Sequence, residues 1–118
     1  MLFLNRRDVT RLLSMSRCIH LMEHALASLA RGEVILPLRP VIRLPDSPNI
    51  FAVMPAYSGA LCASAAKLIT VYPGNHGTPV DSHQGLVALF DGRNGSPLAI
   101  MDAASITGIR TAAVSGVA

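Results

Sequence analysis

Apolar residues recur along the chain with two different periods, and the change from one to the other falls at Gly32. Before it, Ile19, Met22, Leu26 and Leu29 share one face at helical spacing, which predicts an amphipathic helix through "RCIHLMEHALASLAR". Ser14 or Ser16 is placed to cap its start, and Gly32 stands where a helix ends in a residue of positive φ. A shorter helix precedes it, because "NRRDVTRLLS" offers Asn5 as N-cap and then one or two amphipathic turns.

After Gly32 the apolar runs are short and are broken by Pro and Gly. They predict strands at 33–44, 49–58, 65–73, 85–91 and 97–102. "PDSPN" links the first two, and "DGRNG" links the last two with Gly95 suited to the positive φ of a hairpin turn. Strands joined by tight turns make a mostly antiparallel sheet. The fold class expected is therefore α+β, with N-terminal helices packed on one face of that sheet and a last helix starting near Ser105. The longest irregular stretch, "YPGNHGTPVDSHQ" at 72–84, is the candidate ligand-facing loop.

Composition narrows the function classes. A chain of 118 residues that is 51% hydrophobic has enough apolar side chain for one domain with a core. Its mean hydropathy of +0.45 implies either a membrane segment or a surface that something else covers. No apolar run approaches the roughly 18 residues of a spanning helix. Nor does "MLFLNRRDVTRLL" carry the apolar centre of a signal peptide. The expectation is a cytoplasmic protein without a membrane segment. Cys18 and Cys62 stand in apolar surroundings and read as buried free thiols. His20 and His24 are four apart but have no third ligand in view, so no metal site is expected. The net charge is +3 and the pI about 9.4, yet the basic residues are dispersed and aromatics make up 4%. Nucleic acid is not an expected partner.

Three cations interrupt apolar runs: Arg39 in "LPLRP", Lys67 in "ASAAKLITV" and Arg110 in "ITGIRTAAVSGVA". A cation in such a place is paired, reaches out to water, or waits for an anionic ligand. With only 7 acidic residues in the chain, three such positions favour the ligand. If the last helix starts near Ser105, Arg110 lies in its first turn or two, where the helix dipole works against a cation. An anion held jointly by the helix N-terminus and the guanidinium would account for it. The small residues that follow, "TAAVSGVA", let that helix pack closely on other backbone.

"LPLRP", "MPAY", "AAKLITVYPGN", "DSHQGLVALFDGRNGSPLAIMD" and "SITGIRTAAVSGVA", in this order, closely resemble the ornithine cyclodeaminase/mu-crystallin family. The resemblance runs from "RRDV" and "LARGEV" to the last residue. It implies that residues 1–118 are a substrate-binding and dimerisation domain, and that the chain stops before a Rossmann domain binding NAD or NADP. No GxGxxG-type turn is present in the sequence. By resemblance Arg39, Lys67 and Arg110 hold the carboxylate of a small amino or imino acid, with Lys67 also catalytic. Ser82, His83, Gln84 and Arg110 are likewise implied to reach the cofactor, and a homodimer is implied. The activity so implied is ketimine or pyrroline-2-carboxylate reduction, or ornithine cyclodeamination, with the short chain alone inactive. A non-catalytic ligand-binding or dimerisation module, or an inactive truncated product, is the alternative.

Overall fold

A computed structural model describes residues 1–117; Ala118, where the domain read from the sequence ends, lies outside the described residues. The chain opens with β1 (Leu2–Leu4), α1 (Arg6–Leu12) and α2 (Met15–Ala30). Then come β2 (Val34–Ile35), β3 (Val41–Arg43), β4 (Ile50–Ser58), β5 (Ala63–Val71), β6 (His83–Asp91) and β7 (Pro97–Asp102), and α3 (Ala103–Val117) follows β7 directly. A 3-10 turn at Pro73–Asn75 lies between β5 and β6. The strands form one sheet in the order β1-β7-β6-β5-β4-β2, with β3 also paired to β4. All pairs are antiparallel except β1 with β7.

The caps follow the sequence closely. Asn5 accepts from the Asp8 amide while the Asp8 carboxylate accepts from the Asn5 amide, each at 3.0 Å, so two orphan donors are satisfied reciprocally. Ser14 caps α2 through the Arg17 amide. Gly32 ends α2 at φ +73°, and Gly95 turns the β6–β7 hairpin at φ +78°.

Four elements differ from the sequence reading. The expected strand at 33–44 is split into β2 and β3, because Pro37 and Pro40 lack the amide donor a continuous ladder needs. Both pieces pair with β4, and Pro55, also without a donor, stands in β4 opposite the gap between them. Strand β6 starts at His83, so His83 and Gln84 belong to a strand rather than to the preceding loop. The first three apolar residues form β1 at the sheet edge, a run too short to show a period. Finally, α3 starts at Ala103 rather than Ser105, which moves Arg110 into its third turn.

The helices cover one face of the sheet. Helix α3 lies against β5 and β6, α1 touches β7 and β1, and α2 rests on α3 instead of on the strands. Small residues make the α2–α3 approach close: Ala113 is fully buried, and a Cβ at Gly116 would stand 2.8 Å from Ile19 Cδ1. Strands β5 and β6 also approach tightly. A Cβ at Gly85 would meet the Leu68 carbonyl oxygen at 2.1 Å, so only glycine fits there.

Candidate active site

The register fixes where the three interrupting cations fall. Lys67 on β5 stands opposite Met54 on β4 and Val87 on β6. Next to Met54, the Val53 amide donates to the Pro40 carbonyl at 3.1 Å, which anchors the end of the 36–40 segment beside this row and brings Arg39 to it. On the other side, α3 passes over β5, and the Lys67 ammonium donates to the Thr107 hydroxyl at 3.4 Å. Arg110 follows Thr107 by three residues, one helical turn further along the same side.

The charges of Arg110 and Arg39 reach Lys67. Burial first, then the guanidinium charges of Arg110 and Arg39, push the Lys67 pKa below its ordinary value. Lys67 is half-buried, while Arg39 and Arg110 are exposed. Among the described residues none of the three makes an ion pair; the carboxylates that do pair serve Arg6, Arg31 and Arg93. The result is a concentration of positive charge that protein acids leave unneutralised. Such a cluster suits a small carboxylate, to which an arginine fork gives two parallel hydrogen bonds.

A cavity of about 270 Å³ opens beside Lys67 under the start of α3. Lys67, Ile69, His83, Gln84, Thr107 and the small residues Ala103, Ala104 and Gly108 line it. Lys67, His83 and Gln84 thus share one space. Arg39 and Arg110 act on Lys67 from outside this lining. Ser82 lies next door, in a neighbouring depression lined also by Arg6, Asp81, His83, Ala104 and Ser105. Among the described residues no group of three or more His, Cys, Asp and Glu is placed to hold a metal, and the His24 ring lies 2.9 Å from the His20 carbonyl.

The helix N-terminus is not an open anion site, which corrects the expectation drawn from Arg110. Asp102, the last residue of β7, accepts from the Ser105 amide at 2.9 Å and from the Ser105 hydroxyl. A carboxylate of the chain itself therefore fills the place an anion would take. Burial acts to raise the Asp102 pKa, but the Ser105 hydrogen bonds and the Arg6 charge outweigh it and hold the carboxyl below its ordinary value. In the third turn, Arg110 is also too far along α3 to share a ligand with those first amides.

Sequence reasoning missed Thr107 and the Arg6, Asp81 and Asp102 group. The signal for Thr107 was present in "SITGIR", where one hydroxyl precedes Arg110 by a turn, but the Lys67 contact depends on how α3 crosses β5.

The chain is similar to parts of several longer known proteins. Mouse ketimine reductase mu-crystallin is 45% identical over 120 residues, which cover 98% of this chain and 38% of the mouse protein. The structure of Thermococcus litoralis Δ1-pyrroline-2-carboxylate reductase in complex with NADH and L-proline matches with a TM-score of 0.92 at 35% identity, over 98% of this chain and 36% of that one. An archaeal alanine dehydrogenase dimer with bound NAD matches with a TM-score of 0.90 at 28% identity, over 98% and 35%. The chain spans little more than a third of the length of these relatives. The family model of ornithine cyclodeaminase and mu-crystallin matches residues 1–118, and the chain belongs to the ornithine cyclodeaminase/mu-crystallin family.

Proposed function

We propose that residues 1–118 are the substrate-binding and dimerisation part of an NAD(P)-dependent enzyme that acts on a small amino or cyclic imino acid. The observation that carries this is the unneutralised cluster of Arg39, Lys67 and Arg110 beside a cavity the size of a small ligand. The preferred activity is reduction of a cyclic ketimine such as pyrroline-2-carboxylate, in line with what the mouse and Thermococcus relatives are named for. Ornithine-type cyclodeamination is the second reading.

In this proposal the guanidinium groups of Arg39 and Arg110 grip the substrate carboxylate and orient the ring. A bound nicotinamide supplies the hydride that reduces the imine carbon. Lys67 holds a proton at Nζ and passes it to the imine nitrogen, so C=N becomes CH–NH. Burial, and after it two neighbouring cations, make the ammonium a stronger acid than a free lysine, which favours that transfer near neutral pH.

The residues present fit the nicotinamide end of the cofactor better than its phosphates. His83, Gln84 and Thr107 offer single polar groups at the cavity, whereas the nearest helix N-terminus is occupied by Asp102. We therefore assign the dinucleotide mainly to a Rossmann domain beyond these residues, and expect the 118-residue chain alone to be inactive. The sheet face away from the helices supports dimerisation. It carries Phe3, Ile42, Leu86 and Phe90, which are 69%, 58%, 48% and 37% exposed. Among the described residues no helix is long and apolar enough to cross a membrane. A cytoplasmic setting, where the free thiols of Cys18 and Cys62 stay reduced, suits this reading.

The test is a titration of L-proline into the chain, followed at the Lys67 side chain by NMR. The ammonium signal should respond, and the response should vanish in Arg110→Ala. Calorimetry with NAD(H) and NADP(H) should show no low-micromolar binding, on the order of the affinities a complete site reaches. An unresponsive Lys67, or tight dinucleotide binding by these residues, would sink the corresponding part of the proposal.

A further inference from the structure

We propose that Thr107 is the positioning residue that aims Lys67 at the cavity. An ammonium has three donors and no acceptor, so its direction is set by the oxygens around it. Lys67 donates to Thr107 Oγ1, a partner 40 residues later on a different element. The other polar side chains around the cavity have hydrogen-bond partners other than Lys67. Ala103, Ala104 and Gly108 have no polar side-chain atoms, and the Ser105 hydroxyl is bound to Asp102. The Gln84 amide donates to the Asp81 carbonyl at 3.0 Å, and His83 Nδ1 lies 3.2 Å from the Ser82 hydroxyl. Thr107 is thus the side-chain oxygen that the first turns of α3 offer to Lys67.

The chemistry of that oxygen matters. A carboxylate in its place would neutralise the lysine and repel an anionic ligand. A hydroxyl gives direction and leaves the charge available. At 3.4 Å the hydrogen bond is longer than the usual 2.9 Å or so, so a ligand oxygen can displace it. Arg110, one turn further along α3, then acts on the same ligand from the same helix.

The inference rests on the proposed site, but its test does not depend on activity. Lys67 is the single lysine of the sequence, so lysine-selective isotope labelling of the 118-residue chain gives one side-chain signal to titrate. Thr107→Val keeps the shape and removes the hydroxyl. The Lys67 midpoint should fall below that of the unsubstituted chain, because the oxygen that favours the charged form is gone. Thr107→Ser should restore it. If Thr107→Val loses its folded amide spectrum, Thr107→Ala, a better helix former, takes its place with the same expectation. Equal midpoints in the folded variants overturn the proposal. The L-proline titration separates the two ideas: a Lys67 that ignores L-proline yet shifts with Thr107→Val refutes the carboxylate site and keeps the positioning contact.

Discussion

The guanidinium of Arg6, on α1, donates to the carboxylate of Asp81 across 75 residues of sequence, and its Nε lies 3.8 Å from the Asp102 carboxylate that caps α3. One exposed side chain therefore ties the 72–82 loop to the helix start beside the candidate active site. Exposed ion pairs contribute little to global stability, so the consequence is local. Arg6→Ala should leave the unfolding midpoint nearly unchanged while amide hydrogen exchange quickens at 76–82. Unchanged exchange there would show that the other hydrogen bonds of the loop, among them those of Asn75 and Gln84 to the Asp81 carbonyl, hold it without Arg6.

The pH dependence of stability has a definite sign at each end. The Asp102 pKa is lower in the folded chain than in the unfolded one. Its contribution is present above the unfolded value of 3.8 and is lost as pH falls through the folded value. Lys67 behaves oppositely to a paired lysine: its folded pKa is below 10.5, so between the two values the unfolded chain binds more protons and stability rises with pH. Below the folded value the full cost of the charged ammonium is present. Lys67→Met should therefore be the more stable protein at neutral pH and should lose this alkaline rise. Urea unfolding between pH 7 and about 10.5 measures both.

Glycines at two places should respond differently to a methyl group. Gly85→Ala puts a Cβ against the Leu68 carbonyl, which is backbone and cannot move aside. A loss of at least about 1–3 kcal/mol is expected, the cost of overpacking. At Gly74 nothing lies within 4 Å of the added Cβ. Gly74→Ala should stay within about 0.5 kcal/mol of the unsubstituted chain by chemical denaturation.

Self-association should depend on the uncovered sheet face. Leu68 and Leu86 pair across β5 and β6 on that face, and Leu86 is 48% exposed. A charge in this apolar patch should weaken dimerisation at least tenfold, or about 1.4 kcal/mol. Sedimentation of Leu86→Glu against the unsubstituted chain reads the difference, and equal association would place the contact elsewhere.

Much of this fold was legible in the sequence because its signals are local. Asn5, Ser14, Gly32 and Gly95 act within a few residues of themselves, and each stands where its type predicts. The strands of β4 to β7 were found from apolar runs, with ends off by up to two residues. What escaped was non-local. Strand β1 exists because β7 offers it an edge, and α2 rests on α3 because Ala113 and Gly116 leave room. The cations Arg39, Lys67 and Arg110 stood out as residues that no neighbour in sequence could satisfy. That the charges of Arg39 and Arg110 reach Lys67 depends on the register of β4 with β5 and on the path of α3, and neither is written in any one segment.

The break between β2 and β3 gives the two sides of this charge cluster unlike mechanics. Lys67 sits mid-strand with ladder partners on both sides, so it cannot shift without tearing the sheet. Arg39 hangs from a stretch outside the strand pairing, where its neighbour Leu38 is 97% exposed. In the proposed site a ligand would therefore meet the lysine on a fixed strand and the arginine on a stretch that no ladder holds. In that proposal the register of the central strands sets the aim of Lys67, whatever path residues 36–39 take.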